Sequence, residues 1–400
     1  MSPVVRQFRD FFVSLKLTVV LLSLSLLLVF VATLDQVNLG IWAVQEKYFR
    51  SFFVLWTIPG APIALPVFPG GYLIGGLLLI NLVAAHVYRF AFTWKKLGIQ
   101  LAHAGVIALL VGELVTGLLQ EDSSMRLEVG ETKKYVESFR EHELAILDRT
   151  DPQFDEVVAI PEALLADERS IQHAKLPFQV NVKAWLPNAT LQMGDPSGRA
   201  DLPRANQGIG PRVQVIPLPI TYKSDEINLP AAFVEIVTTE GVAGTWVVSP
   251  IIGMPQSFQY QGRTWEFAIR LRRQYLPFSL TLLNVTHEVY PGTEIPKNFA
   301  SRVRVKSDDG QTDREVLIFM NNPLRHGGQT FYQYQMNAAG RMSVFQVVSN
   351  PGWILPYVAC VMMGLGLTWQ FVGSLVGFIR RRAAADKAEP AGRRAGAEIS

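Results

Sequence analysis

Two of the six histidines stand inside long apolar runs, His86 in NLVAAHVYRF and His103 in GIQLAHAGVIALLVGELVTGL. His86 lies nine residues before Lys95 and His103 eight after it. If the residues between them form the tight end of an antiparallel helical hairpin, the two imidazoles reach similar depths, within about one turn of 5.4 Å. Two chemistries fit such a pair. A neutral imidazole is a good axial ligand for haem iron, and paired histidines on membrane helices are a common way to hold one. Each ring can equally serve as a hydrogen-bonding group between helices, as polar residues in bundles often do. Neighbouring helices pack at roughly 8 to 10 Å, too close for a haem sandwiched between two imidazoles. Either the hairpin splays or one ligand comes from another protein.

The same runs carry Asn81 and Arg89, then Gln100 and Glu113. An ionisable side chain inside a membrane span is costly, so each is a functional-site hypothesis whose partner must be named. Arg89 and Gln100 lie near the helix ends and can reach the interface by snorkelling. Glu113 and Asn81 read first as a structural hydrogen bond between spans, and as a proton path second. The only cysteine is Cys360, which excludes an internal disulfide, a CxxC redox pair and a thiolate zinc site, and reads as a small apolar residue.

The elements that must carry these residues follow from hydropathy. The chain has 400 residues, 49% of them hydrophobic and 18% charged. Four runs have the roughly 17 to 25 apolar residues that cross a bilayer core. They are Leu17 to Leu34, Tyr72 to Phe92, Leu97 to Leu119 and Trp353 to Ile379. The first, preceded by Arg6, Arg9 and Lys16, has a signal peptide as its alternative reading, but its apolar run is long and no A-x-A site follows, which favours a span. Arg6, Arg9 and Lys16, then Lys95 and Lys96, then Arg380 to Arg382 flank the runs, and the positive-inside rule puts all three groups in the cytoplasm. Residues 35 to 71 and 120 to 350 then face the periplasm or exterior. The tail 380 to 400 is basic, lacks apolar periodicity and reads as a disordered cytoplasmic segment. A net charge of +3 gathered beside apolar runs is topology information and offers no nucleic-acid footprint.

The fold class is therefore an integral membrane protein of four transmembrane helices, with a large extracytoplasmic β-rich domain of sandwich-like character between the third and fourth. From Phe178 onward the apolar residues alternate with period two, as in Phe178, Val180, Val182 and Ala184. Asp308-Asp309-Gly310 and Ala339-Gly340 mark hairpins. Ile160 to Ala174 reads as the one helical stretch, and Asp195 to Lys223, rich in Pro and Gly, as a long loop. His142, His173, His287 and His326 are isolated and read as surface or turn residues. GxSxG, HExxH, Walker and strand-linked GxGxxG patterns are all missing, which favours binding and delivery over catalysis by this chain.

The blocks RDFFVSLKLTVVLL, VATLDQVNLGIWAVQEKYF, NLVAAHVYRF, GIQLAHAGVIALLVGELVTGL, YPGTEIPKNFASRVRV and IFMNNPLRHGGQTFYQYQ, in this order around four spans, resemble the ResB family. The resemblance implies a subunit of the system II cytochrome c synthase, in which ResB pairs with the multi-span CcsA to carry haem outward and attach it to apocytochrome c. It implies haem b, bound transiently and without a covalent link, with His103 the first candidate ligand and His86 the second, and no other metal. It also implies an accessory role in a haem lyase complex, without catalytic residues of its own, in the cytoplasmic (inner) membrane. Partners would be a CcsA-type protein, apocytochrome c, membrane lipid and, as a further candidate, a thioredoxin-like thiol reductant. The tryptophan-rich WWD segment expected of the partner is not in this chain, whose eight tryptophans are never adjacent. Two alternatives stand beside this reading: a scaffold for the partner that binds no haem, and a proton- or ion-coupled transporter using Asn81, His86, His103 and Glu113. The absence of paired halves disfavours the latter.

Overall fold

The structure is a computed structural model that describes residues 3–57, 64–88, 93–94, 96–151, 154–167, 169–194, 201–221, 226–289, 291–292, 296–337 and 340–388. Arg89 and Lys95 lie outside the described residues, as do Ala339, parts of the Asp195 to Lys223 stretch and the tail beyond Ala388. The chain forms two compact units: a helical one built from the residues up to Gln120 and from Asn350 onward, and a β-rich one, Glu121–Ser349.

The helical unit begins with α1 (Pro3–Phe12) and α2 (Leu15–Leu39). Ser14 separates them, its hydroxyl accepting the Lys16 N–H at 3.2 Å as an N-cap. After Gly40 come α3 (Ile41–Val44) and a π-helical turn, Gln45–Phe49, then a hairpin of β1 (Phe53–Thr57) and β2 (Ala64–Pro69). Two helices follow, α4 (Gly71–Tyr88) and α5 (Leu97–Leu119). The last helix is α7 (Leu355–Ala388), numbered after the short α6 (Glu162–Ala166) of the other unit.

Helices α2, α4, α5 and α7 are each long and apolar enough to cross a membrane. Their surfaces are apolar outward as well as inward: Leu26 is 74% exposed and Phe371 70%, which suits a lipid surround and not water. Two of the four helices, α2 and α7, end elsewhere than the hydropathy reading places them. Helix α2 runs on past Leu34 to Leu39 because Asp35 and Gln36 are tolerated in a helix, and it stops where Gly40 takes φ +78°. Helix α4 is described as far as Tyr88, and the expected end at Phe92 lies outside the described residues. Helix α7 starts at Leu355, two residues later than Trp353, since Pro356 is accommodated only in a first turn. It then continues through the supposed tail to Ala388, because Arg and Ala are strong helix formers.

The β-rich unit is antiparallel throughout. Its strands are β3 (Glu121–Glu128), β4 (Thr132–Asp148), β5 (Glu156–Pro161), β6 (Ser170–Ile171), β7 (Gln179–Leu186), β8 (Ala189–Met193) and β9 (Val213–Pro217). They continue with β10 (Ala231–Thr238), β11 (Gly241–Val248), β12 (Gln256–Tyr260), β13 (Arg263–Val289) and β14 (Pro296–Ser307). The last are β15 (Asp313–Phe319), β16 (Leu324–His326), β17 (Gln329–Met336) and β18 (Met342–Ser349). Ten strands make one sheet in the order β15-β14-β13-β4-β3-β18-β17-β16, with β12 on β13 and β5 on β4. Four more form β11-β10-β7-β6, and β8 pairs with β9.

The 27-residue β13 serves two cores. Its first half, with Trp265, Phe267 and Ile269, packs beside Leu144 and Ile146 against Val180, Val182, Val234 and Ile236 of the smaller sheet, which is a sandwich. Its second half joins Met125, Leu127, Val303, Val305, Phe331 and Phe345 in a separate core. There the large sheet curls on itself: Ser301 on β14 donates to Ser343 on β18 at 2.9 Å, although those strands are not ladder neighbours. The expected hairpins are present, with Gly310 at φ +71° and Gly340 at φ +63°. Strands begin at Glu121, well before Phe178, and Ile160 belongs to β5 so that the helix shrinks to α6. The Pro/Gly-rich stretch holds β9.

Candidate functional site

The site is built on α5, and a glycine edge decides which way that helix faces. Gly98, Gly105 and Gly112 recur every seven residues and all are buried. A Cβ added at Gly105 would sit 2.9 Å from the Ala359 carbonyl oxygen and 2.6 Å from Met363 Cγ. One at Gly98 would sit 2.6 Å from the Gly366 carbonyl oxygen, and one at Gly366 would meet the Gly98 oxygen and the Ala102 nitrogen, both at 2.7 Å. The backbones of α5 and α7 therefore touch, as small-residue seams in membranes allow. At the seam's end Asn350 locks the pair: its amide donates to Thr116 Oγ1 at 3.1 Å and Gln120 Oε1 at 3.3 Å, while its carbonyl accepts the Gly352 N–H at 2.8 Å.

His103 is turned about 150° around α5 from this seam, given 100° per residue. It is exposed on the helical unit and makes no hydrogen bond or ion pair among the described residues. Glu113 is also exposed, and lies about 15 Å further along the helix at 1.5 Å per residue. His86 is half-buried in the last turn of α4, two residues before its end at Tyr88. Measured along their helices, His86 is about 3 Å from the end of α4 and His103 about 9 Å from the start of α5.

Asn81 does not pair with Glu113. It is 3% exposed and committed to the α1–α2 corner: Thr18 Oγ1 donates to its carbonyl at 2.7 Å, and its amide donates to the Phe12 carbonyl at 2.6 Å and that of Ser14 at 3.3 Å. That is a structural clamp, and it leaves Asn81 no polar atom for a proton path. Cys360 is exposed on α7, an outward-facing residue and not a buried one. Sequence reasoning also missed Asp35, which accepts from Lys47 Nζ at 2.8 Å and Tyr48 Oη at 2.9 Å and ties the π-helical turn to α2. A carboxylate one turn from a helix end, twelve residues before a lysine, is too weak a pattern to find that.

Among the described residues no group of three or more His, Cys, Asp or Glu side chains could hold a metal ion. His142 is buried, 3% exposed, where a surface position was expected. Glu162 of α6, distant in sequence, accepts its backbone N–H at 2.9 Å. His173 accepts the Lys175 N–H within a turn, His287 stacks on Phe299 and His326 packs on Phe278. Four arginines of β13 are spent on acids of β4: Arg263 on Asp148, Arg270 on Glu143, Arg272 on Glu141 and Arg273 on Glu137, at 2.7 to 3.0 Å. These guanidinium groups brace the sheet and are already paired where an anionic ligand would need them.

Residues 261–344 match the model of the ResB-like family. The match takes in β13 through the start of β18, about a fifth of the chain, and is centred on the strands of the second core. Protein NrfI of Wolinella succinogenes is similar over 97 residues, at 31% identity; that stretch is 24% of this chain and 11% of NrfI. The chain thus spans about a tenth of the length of the curated relative it matches. Two features expected from hydropathy and period-two patterning are present, four apolar helices and a large β-rich unit between the third and fourth in the chain.

Proposed function

We propose that this ResB-like chain serves cytochrome c biogenesis as an accessory membrane subunit, holding haem b transiently at His103 for a CcsA-type partner that attaches it to apocytochrome c. The observation that carries the reading is the direction of His103. The glycine seam occupies one side of α5 with α7, and His103 stands on the other, open to a second protein. A single outward imidazole in an apolar setting would hold a haem iron through a ring nitrogen, with a second protein completing the site. When bound, haem supplies the vinyl carbons to which apocytochrome cysteines add as thioethers. His103 would bind and orient, the exposed aliphatic surface of α5 would exclude water, and Asn350 with the glycine seam would keep the imidazole's direction fixed. His86, half-buried on α4, is the second candidate.

The positive flanks support an orientation with both termini and the residues around Lys96 in the cytoplasm, and the β-rich unit outside, where apocytochrome c and a thioredoxin-like reductant would meet it. The paired arginines of β13 favour a second reading for that unit, a protein-binding platform and not a haem cradle. The test is maturation of a reporter cytochrome c in cells carrying this chain and its CcsA-type partner, scored by covalent haem staining. His103→Ala should abolish most staining at normal chain abundance. Full staining with both His103→Ala and His86→Ala would overturn the ligand role and leave the scaffold reading.

A further inference from the structure

Between Arg50 and Arg89 the sequence has no Asp, Glu, Lys or Arg. Helix α4 accounts for the second part of this uncharged stretch, but its first part is the β1–β2 hairpin. The ladder pairs Phe53 with Pro69, Val54 with Phe68, Leu55 with Pro66 and Trp56 with Leu65. Near the base, Val54 is 4% exposed and packs with Phe68 into the core formed by α2 and α4. Further out the apolar side chains cover the outside: Phe52 is 63% exposed, Phe53 52%, Leu55 52%, Trp56 53%, Leu65 44% and Val67 56%. Half-exposed side chains of this size together expose on the order of several hundred Å² of apolar surface, more than a water-facing loop ordinarily presents.

Backbone hydrogen bonds tie the hairpin to the start of α4. Gly70 N–H donates to the Phe52 carbonyl at 2.9 Å and Tyr72 N–H to the Ser51 carbonyl at 3.2 Å. A Cβ at Gly71 would stand 2.8 Å from Phe49 Cα, and one at Gly70 would collide with the Ser51 carbonyl, so strand and helix starts are in backbone contact. Whatever surrounds the first turn of α4 also surrounds this hairpin.

We infer that the β1–β2 hairpin is a membrane-inserted element, lying in the interfacial layer of the bilayer with lipid as the occupant of its exposed apolar surface. The inference rests on the reading that α4 spans the membrane. A two-stranded ladder leaves its outer backbone groups unpaired, which bars it from the hydrocarbon centre. The interfacial layer provides water and headgroups for those edges and acyl chains for the side chains. Pro66 and Pro69 lower the demand further, because neither has an N–H to satisfy. Trp56 is the residue type that favours this depth.

The test uses the full chain with Cys360→Ala and one spin-labelled cysteine at a time, Leu55→Cys, Leu65→Cys or Val67→Cys, in vesicles of phosphatidylcholine and phosphatidylglycerol. Power saturation should show collision with oxygen several-fold above collision with a water-soluble nickel chelate at all three sites. A label at Met254, 73% exposed in the β-rich unit, gives the aqueous reference, and one at Ile80, 50% exposed on α4, the lipid reference. Nickel access at the hairpin equal to that at Met254, with Ile80 in lipid, overturns the inference alone. Nickel access at Ile80 as well overturns the span on which it rests. Labels shielded from both reagents would show protein cover, by a second copy, and also overturn it.

Discussion

The contact between α5 and α7 yields a prediction whose size can be worked from distances. Gly105→Ala adds one methyl group, and the backbone oxygen of Ala359 at 2.9 Å and nitrogen of Met363 at 3.1 Å are in its way, with Met363 Cγ at 2.6 Å. The Met363 side chain can rotate aside, but the two backbone atoms cannot. Relief to ordinary contact near 3.4 Å or more needs a separation of about 0.5 Å along the seam, the kind of overpacking that costs about 1–3 kcal/mol. That is roughly a fivefold to hundredfold change in the unfolding equilibrium. Gly117→Ala is the matched control: it lies on the same helix and its added Cβ meets nothing within 4 Å, so it should be neutral or slightly stabilising. The assay is reversible unfolding of the full chain in mixed micelles, followed by helical circular dichroism. Gly98→Ala should behave like Gly105→Ala, because the Gly366 carbonyl blocks it at 2.6 Å. Equal stability of Gly105→Ala and Gly117→Ala would refute the seam, and with it the argument for which way His103 faces.

Three further outcomes are expected. Asn81→Leu removes the acceptor for Thr18 and the donor for two carbonyls at the α1–α2 corner, and should lower helical-unit stability by about 1–2 kcal/mol in the same unfolding assay. An unchanged unfolding midpoint would show the corner to be held by packing alone. Asn350→Ala should raise hydrogen exchange at the last turn of α5 and the first of α7, where Thr116, Gln120 and Gly352 lose their partner; equal exchange in both proteins would count against the latch. The Asp148 carboxyl is held below the ordinary carboxylate range, chiefly by the Thr150 hydroxyl, with the Thr150 N–H and Arg263 adding to it against the opposing effect of burial. Its folded-state value being the lower, the contribution is fully present above the unfolded value and fades as pH falls through the folded one. Asp148→Asn should therefore cost the β-rich unit about 1–3 kcal/mol at neutral pH and progressively less below about pH 4, where a denaturant midpoint shift that stays constant would contradict it.

Much of this was legible in the residues. Four helices follow from long apolar runs, and the hairpins follow from Gly310 and Gly340. Helix ends were less so, because Asp35 and the Arg380 to Ala388 stretch are compatible with helix and only caps such as Gly40 decide where it stops. The strands before Phe178 were hidden because β4 alternates charged residues whose partners are arginines on β13, more than a hundred residues away in the chain. His142 looked isolated for the same kind of reason: Glu162 reaches it only when β4 and α6 pack. For the candidate site, His86 and His103 were identifiable as residue types in apolar runs. Their accessibility was not, since it depends on which edge of α5 is consumed by α7. The Gly98, Gly105 and Gly112 spacing carried that information, and seven-residue glycine periodicity in an apolar helix is the signal to look for.

The central claim is that His103 holds haem. The direct measurement is the Soret absorbance of the full chain purified with its CcsA-type partner, normalised to protein, for wild type, His103→Ala and His86→Ala. The account predicts that His103→Ala loses most of the band at unchanged yield and partner recovery, and that added imidazole restores part of it. A wild-type Soret band in His103→Ala, with cytochrome maturation intact, would contradict the assignment.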